Sequence, residues 1–162
     1  MEQKKYYIAY GSNMDEEQMA HRCPDARLIG RGILTGWQLL FKGSKTGSYA
    51  TIERSDTHNT PILFWEISEQ DERNLDRYEG FPTFYYKKTL NFYTPKDTIL
   101  EGMAYIMHED RPLGIPSEHY YGILEAAYKK FGFNLAVLEQ AVKDSAFEQT
   151  RRGSRGRRKK ER

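Results

Sequence analysis

The sequence predicts an α+β domain with a mainly β core. Short runs rich in aromatic and β-branched residues recur from Tyr6 as far as Met107, many of them punctuated by glycine. Two later segments, Ser68–Gly80 and Ser117–Gly132, carry both the start and the stop signals of helices. No internal repeat interrupts this pattern. A chain of 162 residues is long enough for one domain with a real core.

Taken in order, Tyr6 to Tyr10 reads as the first strand. It breaks at Gly11-Ser12-Asn13 and continues into Met14–Met19 as a short helix, with Asn13 as N-cap and Glu16 completing a capping box. A strand that turns into a helix N-terminus leaves several amides pointing one way, and the helix dipole adds partial positive charge there. The place suits a carboxylate or a phosphate. Alone the signal is weak, because many such turns bind nothing. Cys23-Pro24 ends the helix.

Ala26–Ile29 and Ile33–Phe41 read as strands, and Gly30, Gly32 and Gly36 within them point to bulges or tight bends. A turn over Lys42–Gly47, a strand over Tyr49–Glu53, a loop over Ser55–Thr60 with a solvated His58, and an apolar strand over Pro61–Ile67 follow. Ser68 caps a helix whose first turn is acidic, and Gly80 stands at its C′ position. Phe84–Thr94 and Ile99–Met107 form a hairpin through Lys96-Asp97-Thr98. Tyr120, Leu124, Ala127, Tyr128 and Phe131 make one apolar helix face closed by Gly132, and Asn134 caps a last helix with Leu135, Leu138 and Val142 inward.

Composition excludes several chemistries. Cys23 is the only cysteine, so there is no disulfide framework or thiolate metal cluster, and it is expected to pack rather than react. His21, His58, His108 and His119 show no ligand spacing, so no metal is expected. No P-loop, G-x-G-x-x-G or G-x-S-x-G motif occurs. With no leader pattern and no long apolar run, a soluble cytoplasmic protein without membrane partners is expected. Twelve tyrosines suit either a pocket with several phenols or a small core that uses Tyr as filler.

The formal charge of +2 conceals an asymmetry, since residues 151–162 carry eight Lys or Arg against one Glu. Residues 1–145 are assigned to the domain. Residues 146–162 form a basic tail expected to be disordered, with non-specific nucleic-acid contact as a secondary role.

Glu79 is the carboxylate that physics singles out. On a helical wheel it lies about 40° from Leu75 and about 20° from Glu72, at the edge of the apolar face. It also occupies the last helical turn, where the negative end of the dipole disfavours a second negative charge. Partial burial acts in the same direction, toward a pKa useful for proton transfer near neutrality. From periodicity alone, an exposed glutamate before a glycine cap is the stronger description.

Three ordered motifs alter that balance: Tyr10-Gly11-Ser12-Asn13-Met14; Asp76-Arg77-Tyr78-Glu79-Gly80 followed by Tyr85 and Tyr86; and Pro116-Ser117-Glu118-His119-Tyr120. Together they resemble the γ-glutamylcyclotransferase family over roughly residues 5–130, with Arg22-Cys23-Pro24, Gly36–Leu39 and Phe64–Ser68 adding to the match. The resemblance implies a small mixed β-barrel flanked by helices, and release of 5-oxoproline from γ-glutamyl compounds without cofactor or metal. By resemblance, Tyr10, Gly11, Ser12, Asn13 and Met14 hold the γ-glutamyl group through backbone amides, and Glu79 is the catalytic glutamate. Tyr120 matches a pocket tyrosine. Tyr85 best matches the tyrosine after the Glu-Gly pair, with Tyr86 one residue away as the alternative, and Tyr105 is a weaker match to another phenol. The segment His108–Gly114 is expected to border the pocket and to help set the leaving group.

Three functions are therefore weighed. The first is a cyclotransferase acting on a γ-glutamyl amine or dipeptide. The second is a non-catalytic module that binds a small carboxylate and contacts nucleic acid through its tail. The third uses the same Glu79 chemistry to remove a γ-glutamyl protecting group from a biosynthetic intermediate.

Overall fold

The computed structural model describes residues 4–44 and 47–146. Residues 147–162 of the basic tail, and residues 45–46 of the expected Lys42–Gly47 turn, lie outside the described residues, while residue 146 ends the last helix. Five strands close into a barrel in the order β1 (Lys5–Ala9), β3 (Gly47–Ile67), β2 (Arg27–Ser44), β4 (Tyr85–Tyr93), β5 (Ile99–Met107). The barrel is mixed, because β1 runs parallel to β5 at the closing seam while the other pairs are antiparallel. Helices α1 (Glu16–Arg22), α2 (Glu69–Glu79), α3 (Glu118–Phe131) and α4 (residues 135–146) pack outside it. The α+β barrel flanked by helices is therefore the observed fold.

Glycine lets two long strands bend around the barrel without breaking. The pairing of β2 with β3 shifts register between Leu28 and Gly30 and again between Thr35 and Trp37. Gly36, with φ of 84°, takes the second bend in a left-handed conformation. At Gly32 an added Cβ would lie 2.8 Å from the Phe92 ring, so the absence of a side chain admits the barrel's own filling there. The two strands expected over residues 26–41 are accordingly one.

The expected loop at residues 55–60 also lies within β3. Its polar composition reads as a loop because the ladder is interrupted there: Arg54 pairs with Trp37 and Asn59 with Thr35, which leaves Ser55 to His58 opposite Gly36 alone. Ser55 and Thr57 hydroxyls hydrogen-bond the half-buried His58 ring at 2.6 and 3.0 Å.

The first helix begins later than the sequence predicts. Ser12–Met14 forms a 3-10 turn, and the N-cap of α1 is Asp15, whose carboxylate accepts from the Glu17 amide. Asn13 is drawn away from capping by side-chain partners of its own. Asp15→Ala is expected to destabilise the fold by about 1 kcal/mol, read from the midpoint of urea unfolding. The other helix signals hold. Ser68 and Asp71 make a capping box, Ser117 caps α3, and Gly80 and Gly132 end α2 and α3 in left-handed conformation. Asn134 accepts from the Ala136 amide at the start of α4. Among the described residues, no helix is long and apolar enough to cross a membrane.

Candidate active site

Three sequence-distant pieces meet at one end of the barrel. The chain leaves β1 through Tyr10 and Gly11. Its 3-10 turn closes on itself through hydrogen bonds from the Met14 amide to Gly11 and from the Asp15 amide to Ser12, each 3.0 Å. Gly80 terminates α2 immediately after Glu79, which holds that carboxylate at the helix end. Ser117 starts α3 and sets Tyr120 in its first turn, with the Tyr120 amide donating to the Ser117 hydroxyl at 3.1 Å.

These pieces line a small cavity of about 30 Å³. Its walls are Tyr7, Ile8, Tyr10, Gly11, Ser12, Asn13, Ala50, Glu79, Tyr85, Tyr105 and Tyr120. Gly11 is needed for close approach, since a Cβ there would lie 3.1 Å from the Tyr120 hydroxyl and 3.3 Å from the Ala50 side chain. Glu79 thus shares a cavity with Gly11 and Ser12, although Ser12 and Glu79 lie 67 positions apart in the sequence.

Burial pushes the Glu79 carboxyl up to about 7, and the Arg22 guanidinium only partly opposes it. Among the described residues no side chain or amide hydrogen-bonds this carboxylate, and its one charged neighbour in that set with an effect on it is Arg22. Burial also holds the phenols of Tyr7, Tyr10, Tyr85 and Tyr120 above their ordinary range, and the Glu79 charge adds to this at each. All four stay neutral near neutrality, able to donate as well as accept.

The structure brings together Tyr10, Gly11, Ser12, Asn13, Glu79, Tyr85 and Tyr120. Tyr85, not Tyr86, reaches the cavity; Tyr86 turns outward and donates to Glu109. Met14 does not line it. Its side chain is fully buried in the core and its amide is consumed by the Gly11 carbonyl, so no donor remains there for a ligand. Tyr105 presents its ring, because its hydroxyl donates to Asp76 at 2.6 Å. The segment 108–114 lines none of this cavity. It is tied instead to β2, through the Gly43 amide on Pro112 and the Gly114 amide on Phe41, each 3.0 Å.

Sequence reasoning missed Tyr7, Ala50 and Arg22. Arg22 stacks on the Tyr78 ring, 3.6 Å from its centroid, and donates to the Asn13 side-chain carbonyl. Cys23 is buried, its thiol pushed up to about 12 by burial and by Asp71, which suits a packing residue and not a nucleophile.

Comparison with known proteins follows the same lines. The family described as gamma-glutamyl cyclotransferase, AIG2-like, matches residues 7–122. No curated protein matches. A solved structure named gamma-glutamyl cyclotransferase is 26% identical, with TM-score 0.75 and 86% of each chain covered. The uncharacterized protein loc79017 from Homo sapiens is 25% identical, with TM-score 0.77, over 85% of this chain and 86% of that one. A yeast gamma-glutamyl cyclotransferase specific to glutathione shares the fold at 12% identity and TM-score 0.58, over 86% of this chain and 96% of its own. A match through most of the barrel, with the matched motifs converging on one cavity, places this chain in the gamma-glutamyl cyclotransferase, AIG2-like family.

Proposed function

We propose that the chain is a cyclotransferase that releases 5-oxoproline from a γ-glutamyl amine or γ-glutamyl dipeptide. The observation that carries this is Glu79, a carboxylate raised to about 7 and without a hydrogen bond among the described residues, in a tyrosine-lined cavity with the Gly11–Ser12 bend.

The substrate carries its own nucleophile. Its α-amine loses a proton to Glu79 and attacks the γ-carbonyl carbon, closing a five-membered lactam. The bond from that carbon to the departing nitrogen then breaks, and Glu79 returns the proton to the leaving amine. No water is consumed. A pKa near neutrality lets one carboxyl serve as base and then as acid.

Bringing the two ends of a flexible glutamyl chain together is mainly an entropy problem, met by fixed contacts on both. Backbone amides of Gly11 and Asn13 supply contacts for negative charge, whether a carboxylate or the oxyanion forming at the γ-carbon, while the Ser12 amide is directed at the Tyr120 hydroxyl oxygen. Tyr10 donates to the Tyr105 carbonyl at 2.5 Å and Tyr85 to the Ala50 carbonyl at 3.0 Å, so their oxygens face outward as acceptors; that of Tyr10 is shared with the Thr51 hydroxyl, and that of Tyr85 keeps a lone pair toward an ammonium. The Tyr120 hydroxyl accepts from the Ala50 amide at 3.1 Å and keeps its proton for an acceptor.

A panel of γ-glutamyl amines and γ-glutamyl dipeptides, assayed for liberated 5-oxoproline, tests the assignment. Release from at least one member, in equal amount with the free amine, is expected. Binding of the panel without any turnover would instead support the non-catalytic carboxylate-binding module.

A further inference from the structure

The hydrogen-bond directions around Asn13 fix the polarity of a residue that no comparison singles out. Arg22 has only donors, so the Asn13 oxygen must face it, and the Asn13 Nδ2 is then obliged to face the other way. It donates to the Tyr7 hydroxyl oxygen at 2.8 Å. Reversing the amide would set its two donors against a guanidinium, and that clash fixes the orientation. The Tyr7 oxygen is therefore an acceptor toward the protein. Among the described residues its proton has no partner, and Tyr7 lines the cavity that holds Glu79. The residue is 4% exposed, so bulk water is a poor outlet for that proton.

We infer that Tyr7 is a substrate-contacting residue. Its hydroxyl donates into the cavity to an acceptor oxygen of the bound glutamyl group, and Asn13 and Arg22 are positioning residues that hold it in the donor sense. This rests on the function proposed above and deepens it. The cavity becomes two-sided, with Tyr7 and Tyr120 presenting protons while Tyr85 presents a lone pair. Such a lining fits the end of an amino acid that carries an ammonium and an acceptor oxygen together. Tyr7 also stands in edge-to-face contact with the Tyr105 ring, 6.0 Å between centroids, which fixes its plane.

The test is a double-mutant cycle of Tyr7→Phe and Arg22→Met, run at pH about 9. There the native Glu79 is ionised, and the pH profile of Arg22→Met shows whether its carboxyl is ionised too, which separates the guanidinium's own effect on the carboxyl. On a substrate that the native chain turns over, Tyr7→Phe is expected to lower kcat/KM by about 10- to 100-fold. Arg22→Met should lower it in the native background and add less than about twofold in the Tyr7→Phe background, with Arg22→Lys restoring part of the loss. Tyr7→Phe within about twofold of native overturns the inference while the proposed function stands. An undiminished Arg22→Met effect without the hydroxyl overturns the positioning role.

Affinity for 5-oxoproline, measured by calorimetry on the same proteins, gives a second readout that needs no turnover. A loss of about 10-fold or more in Tyr7→Phe supports the contact, and equal affinity overturns it. A native chain that neither turns over the panel nor binds 5-oxoproline overturns both this inference and the function on which it rests.

Discussion

Glu79→Gln is expected to lower 5-oxoproline release by at least about 100-fold while leaving the barrel folded. The amide has the shape of the carboxyl but cannot take a proton from an ammonium, so the nucleophile stays blocked. The barrel survives because, among the described residues, the native carboxylate makes no hydrogen bond for the amide to lose, and it sits at a helix end already stopped by Gly80. The pH profile carries a second signature. With the carboxyl raised to about 7, kcat/KM of the native chain should climb with pH through that value, as the base becomes ionised. The residual activity of the variant should lack this limb. Steady-state kinetics at saturating and limiting substrate, with circular dichroism for the fold, decide the matter. Activity within about tenfold of native would remove Glu79 from the chemistry.

The same substitution is expected to stabilise the fold, and only at higher pH. Burial raises the Glu79 carboxyl from 4.5 to about 7, so between those values the folded chain holds a proton that the unfolded chain has released. Stability therefore falls as pH rises through this window. The full cost of about 3 kcal/mol is reached once the buried group is ionised above about 7. Below about 4.5 both states are protonated and the cost vanishes. Glutamine never ionises and escapes it. Urea unfolding of native and variant proteins should give similar free energies near pH 4.5 and a variant advantage near 8.5, since other titrating groups are common to both. A difference that does not change with pH would show that Glu79 is solvated. A functional group held at a cost to stability is the ordinary trade of an active site.

Local signals were legible where local physics decides. The caps at Ser68, Ser117 and Asn134 and the stops at Gly80 and Gly132 depend on a few neighbouring residues, and each was readable from the chain. Where two local solutions compete, the sequence misleads. Asn13 and Asp15 both suit an N-cap, and the choice falls to Asp15 because Arg22 and Tyr7, reached only in the folded chain, occupy the Asn13 amide. Residues 55–58 look like a loop for a sound reason, since they have no partners across the ladder even though the strand continues through them.

Sequence by itself determined the class of fold, the helix boundaries that carry Glu79 and Tyr120, and the glycine bend that accompanies them. Tertiary structure alone decided which tyrosines face the cavity. Tyr6 and Tyr7, like Tyr85 and Tyr86, are adjacent in strands, where neighbours point to opposite faces, and only closure of the barrel assigns one face to the interior. It likewise decided the protonation of Glu79, because a carboxyl's pKa answers to the water excluded around it. The walls that exclude that water come from Tyr7 at one end of the chain's order to Tyr120 at the other.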